Sequence, residues 1–273
     1  MSEPEPISIL IPLANAPVHP DDALTAWVDF LPTLGRETEL VIIDDGTHSI
    51  ESWLNERPNI TFLKSESVRG LGASLRAGLE ASKHPIVFYA TLDYPYSPAD
   101  LIEMLKRLED VDAESGLRLD IVNGCRAGRP APVPAKVFGF VWRNVWNFVL
   151  ALSLQPSPGW LGWKWKWRAF WYRLVFGLRT RDAASGFKLF RRKIFARIPI
   201  QSDGNYAAIE ILAKANFLGC YMDEVPIAKE VGASSPPIPD LGDVRKDASK
   251  VFHKPDFGPT FLSPEVTPHV ENH

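Results

Sequence analysis

The chain has 273 residues, of which 45% are hydrophobic and 23% are charged, and this composition is typical of one sizeable α/β domain with appendages. A net charge of −3 gives no support to a dedicated nucleic-acid binder. Cys125 and Cys220 lie far apart in sequence without ligand spacing, which indicates reduced cytosolic thiols and argues against a disulfide framework or a zinc site.

Apolar runs of strand length alternate with helical stretches along the first half of the chain. The pattern predicts strands at residues 7–13, 40–43, 60–64, 86–90 and 120–124, and helices at residues 21–34, 71–82, 97–108 and 206–216. We expect Ser97 and Pro98 to cap the third of these helices. Strands and helices that alternate in this way are typical of βαβ units, and so we expect a parallel sheet covered by helices.

Two carboxylates follow the second predicted strand directly. Asp44 and Asp45 stand before Gly46, where a buried strand ends. Open α/β sheets bind ligands at this edge, although an Asp-Asp-Gly sequence alone is also typical of a solvated turn. Asp93 follows the fourth predicted strand, and it too is either a ligand-binding residue or part of a solvated turn.

Seven short motifs occur in a fixed order along the chain. They are Ile11-Pro12-Leu13-Ala14-Asn15, Ile43-Asp44-Asp45-Gly46-Thr47, the Arg69 to Leu79 stretch, Leu92-Asp93 leading into Pro98, Asn123-Gly124-Cys125-Arg126, the Asp182 to Arg192 stretch, and Glu224-Val225-Pro226-Ile227 with Gly232-Ala233-Ser234. With these motifs the chain resembles a family 2 glycosyltransferase of the GT-A fold. The resemblance is closest to the polyprenyl-phosphate branch, which is dolichol-phosphate mannose synthase-like, and it covers roughly residues 7–234.

The resemblance implies a GT-A (nucleotide-diphospho-sugar transferase) Rossmann-like α/β sheet with an amphipathic helical insertion. We expect a glycosyltransferase domain at residues 1–235, membrane-interface helices inserted at about 137–178, and a loosely attached proline-rich tail at 236–273. It further implies an inverting transfer of a hexose from a nucleotide-sugar, of the GDP-mannose or UDP-glucose type, to a polyprenyl phosphate.

The resemblance also implies roles for particular residues. The nucleotide-sugar would be bound by Pro12, Asn15, Asp44, Asp45, Gly70, Leu92 and Arg126, and the acceptor or its phosphate by Arg143, Ser185, Lys229 and Ser234. Asp182 and Asp93 would be the catalytic residues, Asp182 positioning the sugar and Asp93 holding a divalent cation, Mg²⁺ or Mn²⁺. Asp182 is also a plausible helix N-cap for the run after Ser185, Arg126 and Arg143 are also plausible solvated surface arginines, and Glu210 could face either the site or solvent.

This chain departs from the family pattern at the donor site. Ala16 and Ser49 stand where the family usually has acidic residues. Thr91 replaces the first aspartate of the cation-binding pair, and Pro95 follows where a polar residue is common. These departures favour an alternative interpretation, a non-catalytic membrane-associated protein that binds ligands or serves as a scaffold on the same fold.

Residues 121–181 contain no aspartate or glutamate but ten arginines and lysines and seven of the nine tryptophans. A basic, tryptophan-rich segment suits the headgroup region of an anionic membrane, so we expect peripheral attachment at the cytoplasmic face. At helical spacing, Trp160, Trp163, Trp167, Trp171 and Leu174 share one stripe. Residues 137–154 approach membrane-spanning length, but Arg143 makes them interfacial or core-facing. Two other interpretations remain. The segment could be a helical hairpin packed on the sheet, or its aromatic residues could stack on nucleic-acid bases, although the net negative charge of the chain disfavours nucleic acid.

Overall fold

The computed structural model describes residues 4–14, 16–17, 19–44, 48, 50–57, 59–65, 70–93, 96–111, 116–126, 172–227 and 241–258. These residues form a seven-stranded sheet in the order β3-β2-β1-β4-β6-β5-β7. Its strands are β1 (Ile7–Pro12), β2 (Thr38–Asp44), β3 (Thr61–Lys64), β4 (Ile86–Ala90), β5 (Ile121–Arg126), β6 (Phe187–Arg191) and β7 (Met222–Ile227). All neighbouring strands pair in parallel except β6, which runs antiparallel to both β4 and β5.

Helices cover both faces of the sheet. They are α1 (Asp21–Phe30), which continues as a 3-10 turn at Leu31–Leu34, α2 (Glu51–Asn55), α3 (Gly70–Ala81), α4 (Asp100–Glu109), α5 (Ala207–Phe217) and α6 (Leu241–His253). A 3-10 turn at Arg192–Ala196 follows β6, and residues 172–176 are also helical.

The sheet separates two hydrophobic cores. On one face, α1 and α4 pack residues such as Trp27 and Met104 against Phe88 of β4. On the other face, α3 and α5 pack against Val87 and Tyr89 of the same strand. A strand buried on both faces has no polar side to present, and this explains why β1 is apolar nearly throughout and buried at every residue.

The expected mixed α/β architecture is present, and the predicted strand at residues 86–90 coincides with β4. The first and second predicted helices start within one residue of expectation, as α1 and α3. The third predicted helix, α4, begins only at Asp100, after a turn in which the Asp100 amide donates to the Ser97 carbonyl. Ser97 and Pro98 therefore precede this helix and do not cap it.

Two parts of the fold differ from the sequence expectation. The run after Ser185 is strand β6 and not a helix, so Asp182 is not a helix N-cap. Residues 236–273 were expected to form a loosely attached tail, but α6 lies within them. Its Val251 is buried and its Phe252 ring lies 5.1 Å from that of Phe176, because the helix presents an apolar side to the core beside α5.

Candidate functional site

A buried ion pair lies where β5 ends and the chain enters β6. Arg126 is the last residue of β5, and its Nε and Nη2 donate to the two carboxylate oxygens of Asp182 at 2.6 and 2.7 Å. The Arg126 amide donates to the same carboxylate at 3.2 Å. The side chains of Arg126 and Asp182 are 10% and 5% exposed, so the two opposite charges neutralise each other largely out of contact with solvent. Burial is the largest single effect and lowers the pKa of Arg126, but the hydrogen bonds and negative charge of Asp182, together with the charges of nearby groups, outweigh it and raise this pKa.

A row of polar side chains crosses the sheet beside this pair. Asn123 of β5 is in register with Lys188 of β6 and with Glu224 of β7, so the three side chains lie side by side on the same face. Lys188 is fully buried and donates to the Asn123 side-chain oxygen at 2.6 Å. It also donates to the carbonyl oxygens of Ser185 at 2.6 Å and Ala183 at 3.1 Å.

The other two members of the row hold the backbone around Asp182. The Asn123 amide donates to the Asp182 carbonyl at 3.1 Å and to Glu224 at 2.8 Å. Glu224 accepts from the backbone amides of Arg181 at 2.8 Å and Asp182 at 3.2 Å. The segment that carries Asp182 is therefore fixed by side chains from three adjacent strands.

The charge state of Lys188 is set mainly by its surroundings. Burial lowers the pKa of the Lys188 ammonium to about 7, and the carboxylate of Asp182 opposes this effect. Arg126 lowers the pKa further, whereas Glu224 raises it. Three oxygen atoms within hydrogen-bond distance match the three N–H groups of the charged form.

Thr91 and Asp93 lie beyond the end of β4. The Thr91 hydroxyl donates to the Asp93 carboxylate at 2.5 Å, and the Thr91 amide donates to the Gly186 carbonyl at 2.8 Å. A Cβ atom on residue 186 would lie 1.8 Å from the Thr91 hydroxyl oxygen, so this close approach requires glycine. The side chain of residue 91 therefore has little free space on the side of Gly186.

Tyr96 closes the site from the other face of the sheet. Its hydroxyl accepts a hydrogen bond from the Gly186 amide at 3.0 Å, and its ring lies 4.8 Å from that of Phe187. Burial raises the pKa of Tyr96 to about 12, so the phenol stays protonated at neutral pH. Burial likewise raises the pKa of the Cys125 thiol to about 12, and this thiol is consequently a poor nucleophile.

Asp44 ends β2 with no exposed surface. One carboxylate oxygen accepts from the His48 amide at 3.3 Å, and the other has no hydrogen-bond partner among the described residues. A buried carboxylate oxygen without a partner is costly, and a ligand N–H that reached it would offset this cost.

The first turn of α3 is docked closely on the loop before α5. Gly70 has φ of +79°, and a Cβ atom on Gly72 would lie 2.0 Å from the Ser202 carbonyl oxygen. The Gly72 amide donates to the Asp203 carbonyl at 2.7 Å. Glycine at these positions therefore permits the turn that brings Gly70 toward the carboxyl edge of β2.

The structure thus brings several of the predicted site residues to one edge of the sheet. Pro12, Asp44 and Arg126 end β1, β2 and β5, Leu92 and Asp93 follow β4, Gly70 begins α3, and Asp182 and Ser185 precede β6. Asp93 lies close enough to Arg126 to affect its pKa. Asn15, Asp45, Arg143, Lys229 and Ser234 lie outside the described residues, as do the tryptophans of the proposed membrane stripe.

Sequence reasoning missed three residues of the site, Tyr96, Lys188 and Glu224. A signal for Lys188 was available, because it shares a strand face with Phe190 in the otherwise apolar core of β6. Glu210 is neither solvent-facing nor part of the ion-pair region. It is fully buried, pairs with Lys214 at 2.7 Å and accepts from the amides of Gln201 and Ser202.

The described residues contain neither a membrane-spanning helix nor a cluster of metal-binding side chains. No helix in the described part of the chain is long and apolar enough to cross a membrane. Within the same residues, no group of three or more histidine, cysteine, aspartate or glutamate side chains could hold a metal ion. A cation at Asp93 would therefore need ligands from a bound substrate, from water or from residues outside the described ranges.

The model for the family described as glycosyl transferase family 2 matches residues 8–198. Among curated proteins, an uncharacterised protein of Methanocaldococcus jannaschii is 26% identical over 112 residues, covering 37% of this chain and 46% of that protein. The match therefore spans less than half the length of this relative.

Solved structures with a similar fold include glucosyl-3-phosphoglycerate synthase from Mycobacterium tuberculosis. Its complex with Mn²⁺, uridine diphosphate and phosphoglyceric acid has a TM-score of 0.58 and 16% identity, covering 91% of this chain and 78% of that chain. Its complex with Mg²⁺ and uridine diphosphate has a TM-score of 0.57 and 15% identity, with coverage of 91% and 79%. The likeness confirms the expected GT-A fold.

The buried ammonium of Lys188 should make stability depend on pH. Its pKa is about 7 in the folded protein and returns to the ordinary 10.5 on unfolding, so the unfolded chain binds more protons between these values. Stability should therefore rise with pH across this window, and the cost of the buried charge should be fully present below pH 7. In urea unfolding, wild type should gain more than about 1 kcal/mol relative to Lys188→Met between about pH 7 and pH 9.

Exposed Lys250 provides the control, since Lys250→Met should track wild type at every pH. Parallel pH curves for wild type and Lys188→Met would show that Lys188 has an ordinary pKa.

Proposed function

Because the chain belongs to glycosyl transferase family 2, we propose that it transfers a hexose from a nucleotide-sugar to a polyprenyl phosphate at an anionic membrane surface. The transfer is a single displacement that inverts the anomeric carbon. The protein acts at the cytoplasmic face of the membrane as a peripheral protein.

The observation that carries this proposal is the bidentate pairing of Asp182 with Arg126. Both carboxylate oxygens accept short hydrogen bonds from the guanidinium, so Asp182 is not presented as a free proton acceptor or as a nucleophile. An acceptor that reacts through a hydroxyl needs a general base, whereas a phosphate monoester is already anionic at neutral pH. The site therefore favours a phosphate nucleophile and a reaction without a covalent sugar–enzyme intermediate.

Asp44 supports a nucleotide donor. One of its buried oxygens accepts no hydrogen bond from the described residues and lies at the carboxyl edge of the sheet, where a base N–H could donate to it. Uracil and guanine both offer such a donor, and a panel of nucleotides is needed to choose between UDP-glucose and GDP-mannose types. The similar glucosyl-3-phosphoglycerate synthase is solved with uridine diphosphate.

Asp93 is the residue that fits a divalent cation. Only one of its carboxylate oxygens is bonded to a described residue, Thr91, so the other remains able to coordinate. Mg²⁺ commonly uses one or two carboxylates together with substrate phosphates. When bound, Mg²⁺ or Mn²⁺ neutralises charge on the diphosphate leaving group. Thr91 orients Asp93, and Arg126 with Asp182 positions the reacting groups.

The acid-free segment supports the membrane as the place of reaction. A polyprenyl phosphate presents its phosphate at the headgroup level, and residues 121–181 supply only cationic charge. In the described end of this segment, Leu174 and Val175 are 63% and 57% exposed, although Tyr172 and Phe176 of the same helical turn are buried. Leu174, the member of the proposed stripe that falls among the described residues, is therefore exposed.

Asp93→Asn should weaken binding of a nucleoside diphosphate in the presence of Mn²⁺ by tenfold or more, or about 1.4 kcal/mol, because the amide is a poorer cation ligand. Calorimetry with uridine and guanosine diphosphates measures the change. Asp110→Asn, which follows α4 at the opposite edge of the sheet, is the matched control and should bind as wild type does. Equal affinities for wild type and Asp93→Asn would remove Asp93 from the donor site.

Asp182→Asn should lower hexose transfer to a polyprenyl phosphate by at least about tenfold while changing nucleoside diphosphate affinity less than about twofold. The amide cannot pair with both guanidinium nitrogens as an acceptor, and the buried Arg126 charge is left uncompensated at a cost of roughly 3–5 kcal/mol. Turnover is therefore measured below the melting range of the variant. The anomeric configuration of the product, read by NMR, reports inversion.

A panel of nucleotide-sugars, offered with polyprenyl phosphate or with phosphoglycerate, tests the acceptor. Turnover with phosphoglycerate alone would contradict the lipid acceptor, and no turnover with either would favour a non-catalytic binding or scaffold protein.

Replacing Trp163, Trp167 and Trp171 with serine should release the protein from vesicles that contain anionic lipid without changing its cooperative melt. Binding of wild type should decline with salt, since contacts with headgroups are screened over about 10 Å at 0.1 M. Vesicle sedimentation with and without phosphatidylserine measures both effects. Loss of the cooperative melt in the triple variant would instead place the stripe in the protein core.

A further inference from the structure

Lys188 is a lysine without solvent contact in the centre of a hydrophobic sheet. Its two strand neighbours, Phe187 and Leu189, lie in the core of one face, and Phe190 lies in the core of the other. An apolar side chain at residue 188 would avoid the cost of burying a charge. The reason for a lysine at this position must therefore lie in the hydrogen bonds that its ammonium group makes.

Those contacts all converge on the turn that leads from Asp182 into β6. Two of the three oxygen atoms that accept from Lys188 are the carbonyls of Ala183 and Ser185. The third belongs to Asn123, whose amide holds the Asp182 carbonyl. Lys188 thus fixes the turn both directly and through Asn123.

The carboxylate of Asp182 depends on this turn for its direction. It meets Arg126 with two charged hydrogen bonds of 2.6 and 2.7 Å, a geometry that tolerates little displacement. Gly186, one residue beyond the turn, also donates to Tyr96 and accepts from Thr91. A shift of the turn would accordingly move the ion pair and the Thr91–Asp93 contact together.

We propose that Lys188 is a positioning residue for the transfer reaction, holding the residue 182–185 turn so that Asp182 stays paired with Arg126 beside the reacting sugar. The inference rests on the proposed function, because it assigns Asp182 to the sugar. Lys188 itself does not touch the substrate. It acts through Asp182 in the way that an outer group orients a catalytic side chain.

The chain offers a matched control in Lys214 of α5. This lysine is also fully buried and also holds a loop, since it donates to the Pro199 carbonyl at 2.6 Å and to the Gln201 side chain at 2.8 Å. Its partner carboxylate is Glu210, and none of these residues belongs to the proposed site. Removing Lys214 should cost stability without reaching Asp182.

Turnover of nucleotide-sugar with polyprenyl phosphate is measured for wild type, Lys188→Met and Lys214→Met below their melting ranges. Lys188→Met should lower kcat at least about tenfold while leaving the Kd for nucleoside diphosphate within about twofold of wild type. Lys214→Met should keep kcat within about twofold of wild type even if it melts as early. Equal losses of kcat in the two variants would show that Lys188 only stabilises the fold, and this would contradict the proposal.

A double-variant cycle tests whether Lys188 acts through Asp182. If it does, adding Lys188→Met to Asp182→Asn should lower kcat no further, because the group being positioned is already disabled. Fully multiplicative losses would mean that Lys188 acts on the reaction independently of Asp182, and this would overturn the proposal.

Amide hydrogen exchange supplies a measurement that does not need activity. Lys188→Met should speed exchange in residues 182–186, whereas Lys214→Met should speed it in residues 199–203. Unchanged exchange at residues 182–186 would overturn the positioning role even if turnover falls. Absence of turnover in wild type would instead overturn the proposed function, so the two failures are distinguishable.

Discussion

The pairing of Asp182 with Arg126 is the interaction on which the site depends. Two charges buried to this degree stabilise a protein only if their geometry is good and their remaining hydrogen-bonding groups are satisfied. Here the guanidinium makes two short contacts with the carboxylate, and the backbone on both sides of Asp182 is held by Asn123 and Glu224. The ion pair therefore requires the polar row across β6, β5 and β7, because Asn123 and Glu224 of that row hold the backbone of Asp182 in place.

The charges of the described site also constrain what can bind there. Arg126 contributes one positive charge, and Lys188 contributes only part of a second at neutral pH because its pKa is about 7. The four carboxylates of Asp44, Asp93, Asp182 and Glu224 lie against them. Two phosphorylated substrates would add further negative charge to an excess of carboxylates. A divalent cation at Asp93 would supply part of the missing positive charge.

Much of the fold could be predicted because β1, β2 and β4 are apolar without alternation and the motifs that follow them end at one edge of the sheet. The prediction failed where the local sequence pattern favours one structure and pairing with distant strands imposes another. The run after Ser185 read as a possible helix, but its pairing with β4 and β5 makes it strand β6. The partners of Lys188 lie 65 residues away at Asn123 and within the Asp182 turn, and no local pattern reports such contacts. Helix α6 was missed because its proline-rich surroundings outweighed a short amphipathic stretch.

Thr91 stands where the family usually has the first of two cation-binding aspartates, and it makes different contacts from those of a metal ligand. Its hydroxyl binds Asp93 and its amide binds Gly186, so it joins the predicted cation residue to the turn that carries Asp182. An aspartate at residue 91 would bring a second cation ligand. However, the side chain of residue 91 already packs closely against Gly186, which leaves little space for a larger group on that side. With one carboxylate, a hard cation must draw more of its ligands from the donor diphosphate. Cation and nucleotide-sugar would then bind as a unit.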